Sequence, residues 1–283
     1  MCIRDRFSDL GCGIALGDVT RPETFTEKVR GHDAVVHMAA RVRLGDLPLD
    51  EMRGINVQAT ENVLKAAAEN DVERVLHTSS IAALGKTFGQ VADETWTHPG
   101  IFTSPYERTK FEAQQVALRY AERGLHVTCA LPAVVFGPRD PNFGFVFKLW
   151  AQRRIRFLPA PDTPFSFVHV EDLARGMRLA LERGGRGETF IFAQANATVR
   201  RLFELCSEAT GIPLPRWQPS ARTVRALLLL GWPLFALTRV RRMISKDSLR
   251  LLGKGMAYSS AKAQRVLGWN PGDFDERVRE TAR

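Results

Sequence analysis

The chain has 283 residues, 45% of them hydrophobic, enough to bury a sizeable core as one large domain or two unequal lobes. A net charge of +9 invites a nucleic-acid reading, but nine basic residues between Arg216 and Lys254 stand against one acid, Asp247, and this one segment carries +8 of it. Charge that is local and brackets an apolar run points away from nucleic acid; no run reaches the roughly 18–20 apolar residues of a membrane span, and the N-terminus lacks the apolar core of a secretory signal.

In chain order, residues 14–16 form the first apolar strand candidate, and Asp18-Val19-Thr20-Arg21-Pro22 reads as its end leading into a helix over 22–29 with proline in the first turn. Strand 34–36 runs into His37-Met38-Ala39-Ala40, and a helix follows over 50–69. Strand 72–76 closes on Thr78-Ser79-Ser80, helix 105–123 follows, and strands 127–131 and 189–192 complete the series. Apolar positions recur near helical period in the two long helices. Strands alternating with helices predict an α/β fold built on a doubly wound parallel sheet. Such a sheet binds ligands beyond the carboxyl ends of its strands, where Asp18, Ala39, Ala40, Ser80 and Pro132 fall.

Tyr106 and Lys110 stand four residues apart on the helix over 105–123, so phenol and ammonium share a face. An ammonium beside a phenol favours the phenolate and draws its pKa from about 10 toward neutrality, which makes tyrosine a usable acid or base. Ser80, 26 positions upstream, could hydrogen-bond the oxygen whose proton Tyr106 moves. The three suit the interconversion of an alcohol and a carbonyl. The four cysteines (Cys2, Cys12, Cys129, Cys206) show no metal-ligand or redox spacing, which points to reduced thiols in a cytoplasmic protein. His37, His77, His126 and His169 have no metal-ligand spacing either, and no G-x-S-x-G elbow makes Ser79 or Ser80 a hydrolase nucleophile.

These motifs resemble the extended short-chain dehydrogenase/reductase family, which includes NAD-dependent epimerases and dehydratases, and in particular its branch of 3β-hydroxysteroid dehydrogenases and dihydroflavonol reductases. The resemblance continues through Leu131-Pro132-Ala133-Val134-Val135-Phe136-Gly137-Pro138 and Phe167-Val168-His169-Val170-Glu171-Asp172 to Tyr258-Ser259-Ser260-Ala261-Lys262 and Leu267-Gly268-Trp269-Asn270-Pro271. It implies a Rossmann-like NAD(P)-binding domain over 7–140 and 174–195, with a smaller, mostly helical substrate-binding lobe over 141–173 and 196–283. It further implies NAD or NADP as cofactor, no metal, and Ser80, Tyr106 and Lys110 as catalytic residues. Cofactor contacts implied by the resemblance are Asp18 and Val19 near the adenine, Ala39 and Ala40 where backbone approaches the cofactor, Asn56, Thr78, Tyr106, Lys110, Pro132 against the nicotinamide, and Val135. Asn56 reads equally well as a helix-surface amide.

One expected part is missing. Such a fold opens with a strand, a glycine-rich turn and a helix whose N-terminus receives the pyrophosphate. Gly11-Cys12-Gly13-Ile14-Ala15-Leu16-Gly17 has superficially similar spacing, but no strand precedes it and no helix follows. By resemblance Asp18 ends the family's third strand, so the expectation is an oxidoreductase fragment that lacks catalytic competence, with the residue that separates NAD from NADP outside it.

Nucleotide-sugar members carry Arg-Asp where this chain has Phe165-Ser166, which removes an expected diphosphate ligand. The apolar run 226–237, flanked by Arg222, Arg225, Arg239, Arg241 and Arg242, suits a buried lid, an apolar substrate wall or peripheral contact with a membrane. The expectation is an apolar small-molecule substrate (steroid-, terpenoid- or polyphenol-like) and a cytoplasmic, optionally membrane-associated or homodimeric protein. A nucleotide-sugar epimerase or dehydratase and a non-catalytic cofactor sensor are the alternatives.

Overall fold

The computed structural model describes residues 11–42, 48–140, 144–230 and 252–283. Its strands, numbered along the chain, are β1 (Ala34–His37), β2 (Arg74–Thr78), β3 (Val91–Ala92), β4 (Val127–Pro132), β5 (Val134–Phe136), β6 (Pro164–His169), β7 (Thr189–Phe192), β8 (Ala195–Thr198) and β9 (Ala257–Tyr258). The helices are α1 (Thr26–Val29), α2 (Leu49–Arg53), α3 (Ala59–Glu69), α4 (Pro105–Glu122), α5 (Gly144–Ala151), α6 (Val170–Arg183), α7 (Val199–Thr210), α8 (Ala221–Leu230) and α9 (Phe274–Ala282).

The principal sheet has the order β1-β2-β4-β7 and is parallel throughout. β4 is buried at all six positions, which requires cover on both faces. α3 and α4 pack side by side against the sheet, and α6 packs on β2 and β4. Leu64, Val75, Val116, Leu131, Phe190 and Trp269 belong to the core cluster between these layers. A second sheet, β5-β6-β8, carries a separate apolar cluster with Trp150, Leu205 and Phe274 from α5, α7 and α9. The short pair β3-β9 joins the segment after Ser80 to the C-terminal part of the chain.

The expected strand over 14–16 is not formed. Residues 12–17 make no ladder, Ile14 and Leu16 are exposed, and an isolated bridge between Asp18 and Arg21 is the local pairing. A strand exists by its neighbours' hydrogen bonds, and among the described residues β1 pairs on one side alone, with β2. The helix expected over 22–29 divides into a 3-10 turn, Pro22–Thr24, and α1. The helix expected over 50–69 is interrupted by a π turn, Gly54–Gln58, between α2 and α3; such wide turns occur at functional sites, and this one holds Asn56. Of the apolar run, 226–230 lie at the end of α8 with Leu227, Leu229 and Leu230 exposed; 231–237, Arg239, Arg241 and Arg242 lie outside the described residues, as does Cys2. Among the described residues no helix is long and apolar enough to cross a membrane.

Candidate active site

β2 and β4 run in register, Thr78 opposite Ala130, and the Ser79 N–H donates to the Ala130 carbonyl at 2.8 Å. Ser80 and Pro132 therefore leave the sheet at neighbouring carboxyl ends. The two serines then diverge. Ser79 is buried, and its Oγ donates to Gln114 Oε1 at 2.8 Å, into the seam between β2 and α4. Ser80 caps the 3-10 turn Ile81–Ala83, its Oγ accepting from the Ala82 N–H at 3.1 Å. Its side chain also lies beside the Tyr106 phenol and favours the ionised form.

α4 begins where Ser104 Oγ accepts the Glu107 N–H at 3.1 Å and Pro105 fills the first turn, so Tyr106 stands in the turn nearest the sheet's carboxyl end. One turn on, Lys110 is buried and donates from Nζ to the Thr78 carbonyl at 2.9 Å. Burial lowers the Lys110 pKa to about 8. Burial also raises the Tyr106 phenol above its ordinary value, and the neighbouring Ser80 opposes the rise. This departs from the expectation that Lys110 draws the phenol toward neutrality: desolvation outweighs the ammonium, which is turned to the Thr78 carbonyl. A phenol so held is a proton donor at neutral pH.

Asn56 is not a surface amide. It is buried, accepts from the Arg41 N–H at 2.7 Å, and donates Nδ2 to the Arg41 carbonyl at 3.1 Å and to Thr109 Oγ1 at 3.0 Å. It thereby ties the segment after β1, past Ala39 and Ala40, to α4 beside Lys110. Arg53 braces the same helix through two hydrogen bonds to Glu112, at 2.8 and 2.7 Å. Ala39 is exposed and Ala40 half-buried, Pro132 is buried at the end of β4, and Val135 is half-buried in β5 beside Val168.

Asp18 and Val19 belong to a separate locality. Asp18 is exposed, accepts from the Thr20 N–H at 2.9 Å and Thr20 Oγ1 at 2.7 Å, and is held below the usual carboxylate range chiefly by those bonds. Asn62 of α3 donates to the Val19 carbonyl at 3.0 Å. His169 and Asp172 lie in β6 and α6: Asp172 is fully buried and accepts from the Gly272 N–H at 3.0 Å, while its carbonyl accepts from Trp269 Nε1 at 2.8 Å, a bracing role. Among the described residues no cluster could hold a metal ion.

For a nicotinamide cofactor the residues present fit one half of the molecule. Lys110, Tyr106, Pro132 and the small Ala39 and Ala40 line one end of the sheet, and the buried Thr78 Oγ1 has no partner among the described residues. Among the described residues no glycine-rich turn passes from a strand into a helix, so donors for a pyrophosphate are not matched.

Sequence inspection passed over Lys86. It follows Ser80 by six residues and lines a cavity of about 210 Å³ beside Phe165 of β6.

The model of the 3-beta hydroxysteroid dehydrogenase/isomerase family matches residues 3–183. Sterol demethylase protein B of Methylococcus capsulatus is 32% identical over 91% of this chain and 80% of that protein. The solved structure of gox2253 superposes with a TM-score of 0.87 at 30% identity, covering 98% of this chain and 86% of that one. DesIV, a dTDP-glucose 4,6-dehydratase from Streptomyces venezuelae solved with NAD bound, gives a TM-score of 0.75 at 22% identity, over 99% and 82% of the two chains.

Proposed function

The chain belongs to the 3-beta hydroxysteroid dehydrogenase/isomerase family of nicotinamide-dependent enzymes, and from that premise we propose that it interconverts a hydroxyl and a carbonyl on an apolar, steroid-, terpenoid- or polyphenol-like substrate. The observation that carries this reading is that Ser80, at the end of β2, sits close enough to Tyr106 to favour its ionised form, one helical turn from a lysine whose Nζ donates to the same strand end. The nicotinamide, when bound, supplies or accepts hydride at the carbinol carbon. Ser80 holds the substrate oxygen and Tyr106 gives it the proton in reduction, or takes it in oxidation. Lys110 keeps α4 and β2 in register and offers its remaining ammonium protons beside Tyr106, toward the nicotinamide ribose. Pro132 fills the position against the nicotinamide ring. Phe165 at the position of the expected diphosphate arginine, and the similarity to a sterol demethylase protein, support an apolar substrate over a nucleotide sugar.

The proposal extends to the chain as given: with donors for the nicotinamide half and none described for the pyrophosphate, it is expected to give no turnover by itself. The test joins the chain behind a strand, glycine-rich turn, helix and strand taken from a nicotinamide-dependent relative. It then follows nicotinamide absorbance with 3-hydroxysteroids and the matching ketones. Turnover by the joined form, reduced about 10²- to 10⁴-fold by Tyr106→Phe, supports the assignment. Full activity of the Tyr106→Phe form, or turnover of nucleotide sugars with retained NAD and none of steroids, overturns it.

A further inference from the structure

We propose that Lys86 is a specificity residue that receives a carboxylate carried by the apolar substrate, at the end remote from the reacting carbinol. This rests on the redox reading of Ser80 and Tyr106 and names a feature of the substrate that reading leaves open.

The position is built by long-range bonds on both sides. Gly85, at φ +80°, presents its carbonyl to the Tyr258 hydroxyl at 2.5 Å, and Thr87 Oγ1 accepts the Ala257 N–H at 3.2 Å. Both neighbours of Lys86 are thus fastened to β9, while its own ammonium makes no hydrogen bond or ion pair with any described residue. It lies 5.9 Å from the centroid of the Phe165 ring, at the cavity that Thr103, Thr163, Val199 and Leu252 also line. Glu107 is an opposite charge that acts on it, but its carboxylate is taken up by His98 Nε2 at 3.2 Å and by the Thr103 N–H at 2.9 Å. Burial accordingly lowers the Lys86 pKa, with Glu107 opposing. A half-buried ammonium that Glu107 attracts but does not bond is only partly compensated, and a ligand anion would complete the compensation.

Location and size argue for part of a substrate. Lys86 follows the Ser80 turn, and Thr103 stands three residues ahead of Tyr106, so two of the residues that line the cavity come from the segments that deliver the reacting pair. At about 210 Å³ it is smaller than the roughly 300–1,000 Å³ of whole-ligand pockets and takes one end of a molecule. Among the described residues that line it, Lys86 is the one charged side chain. One cation balances a carboxylate; a nucleoside diphosphate would leave charge uncompensated against Phe165, Val199 and Leu252. A cation therefore stands over Phe165, supplied by a different element from the arginine expected in nucleotide-sugar enzymes.

The experiment is calorimetric titration of the chain with cholate and with methyl cholate, an apolar hydroxylated acid and its neutral ester. Wild type is expected to prefer the acid by about 10- to 100-fold, the worth of one charge-assisted hydrogen bond. Lys86→Met should erase the preference while keeping ester affinity, which shows that the variant is folded, and Lys86→Arg should restore it. An acid-to-ester ratio unchanged in Lys86→Met, failure of wild type to bind either probe, or UDP binding that depends on Lys86 as strongly as cholate does, overturns the proposal. Tyr106→Phe should leave the ratio intact, so a failed redox assignment and a failed carboxylate site give different results.

Discussion

Lys110 Nζ donates to the Thr78 carbonyl across 2.9 Å, which joins the helix of Tyr106 to the strand that ends at Ser80. Burial lowers this lysine from 10.5 to about 8, and the sign of its linkage follows. Between pH 8 and 10.5 the unfolded chain binds the proton and the folded chain does not, so the burial penalty is full below pH 8 and eases as pH rises. Urea denaturation of wild type and Lys110→Met at pH 7 and pH 9 should show the difference moving in favour of wild type by about 1 kcal/mol. A difference independent of pH would mean the lysine is solvated. In the cofactor-competent form, Lys110→Met should also lower turnover, with Lys110→Arg restoring part of it.

Ser79 and Ser80 separate stability from chemistry at adjacent positions. Ser79→Ala leaves Gln114 Oε1 without its donor in the core and should cost about 1–3 kcal/mol, with turnover per folded molecule preserved. Ser80→Ala removes a cap from an isolated 3-10 turn, a loss of about 1 kcal/mol or less, and should cost turnover heavily. Thermal melting alongside kinetics reads both; the reverse assignment would make Ser79 the substrate's partner.

What was legible in the chain and what was not divides along sequence separation. The four strands of the principal sheet could be read from short runs rich in apolar residues, a local signal clearest in Val127-Thr128-Cys129-Ala130-Leu131, which is buried throughout. Tyr106 and Lys110 were legible because one helical turn fixes their common face. The strand over 14–16 was misread because a strand is completed by partners that composition does not reveal. The phenol's pKa was misjudged because spacing gives the ammonium's neighbourhood but not the desolvation around it. Lys86 was illegible for the same reason: its setting is made by Tyr258, which bonds the neighbouring Gly85 from 173 positions away, and Phe165, and nothing near it in sequence marks it.

Asn56 offers a test of the π turn as a positioning device. Its single side chain accepts one backbone bond and donates two, so Asp, which keeps the shape but lacks the donors, should be nearly as damaging as Ala. Both are expected to cost about 2–3 kcal/mol in urea denaturation, since Arg41 and Thr109 lose buried partners. Stability of Asn56→Asp close to wild type would show that the donated bonds contribute little.

The paired histidines of β1 and β2 should govern the acid limb of stability. His37 and His77 stand opposite one another in the parallel register with ring centroids 5.6 Å apart. Burial, with Lys110 adding to it, lowers His37 to about 4, and burial takes His77 well below its ordinary 6.5. Below pH 6.5 the unfolded chain binds protons that the folded chain refuses, so stability present above pH 6.5 is lost as pH falls toward 4, by up to about 3 kcal/mol for His37. The two rings differ in their bonds: His37 Nε2 lies 3.0 Å from Thr60 Oγ1, whereas neither His77 nitrogen has a partner among the described residues. His77→Phe therefore removes a titrating group and two unsatisfied polar atoms at once. Its denaturation midpoint should be at or above that of wild type at pH 7 and fall less steeply between pH 6.5 and 4, with His77→Leu as a check on ring size. Marked destabilisation of both variants at pH 7 would mean that the imidazole makes a bond worth more than its burial costs, and the acid limb would then have to be assigned to His37 alone.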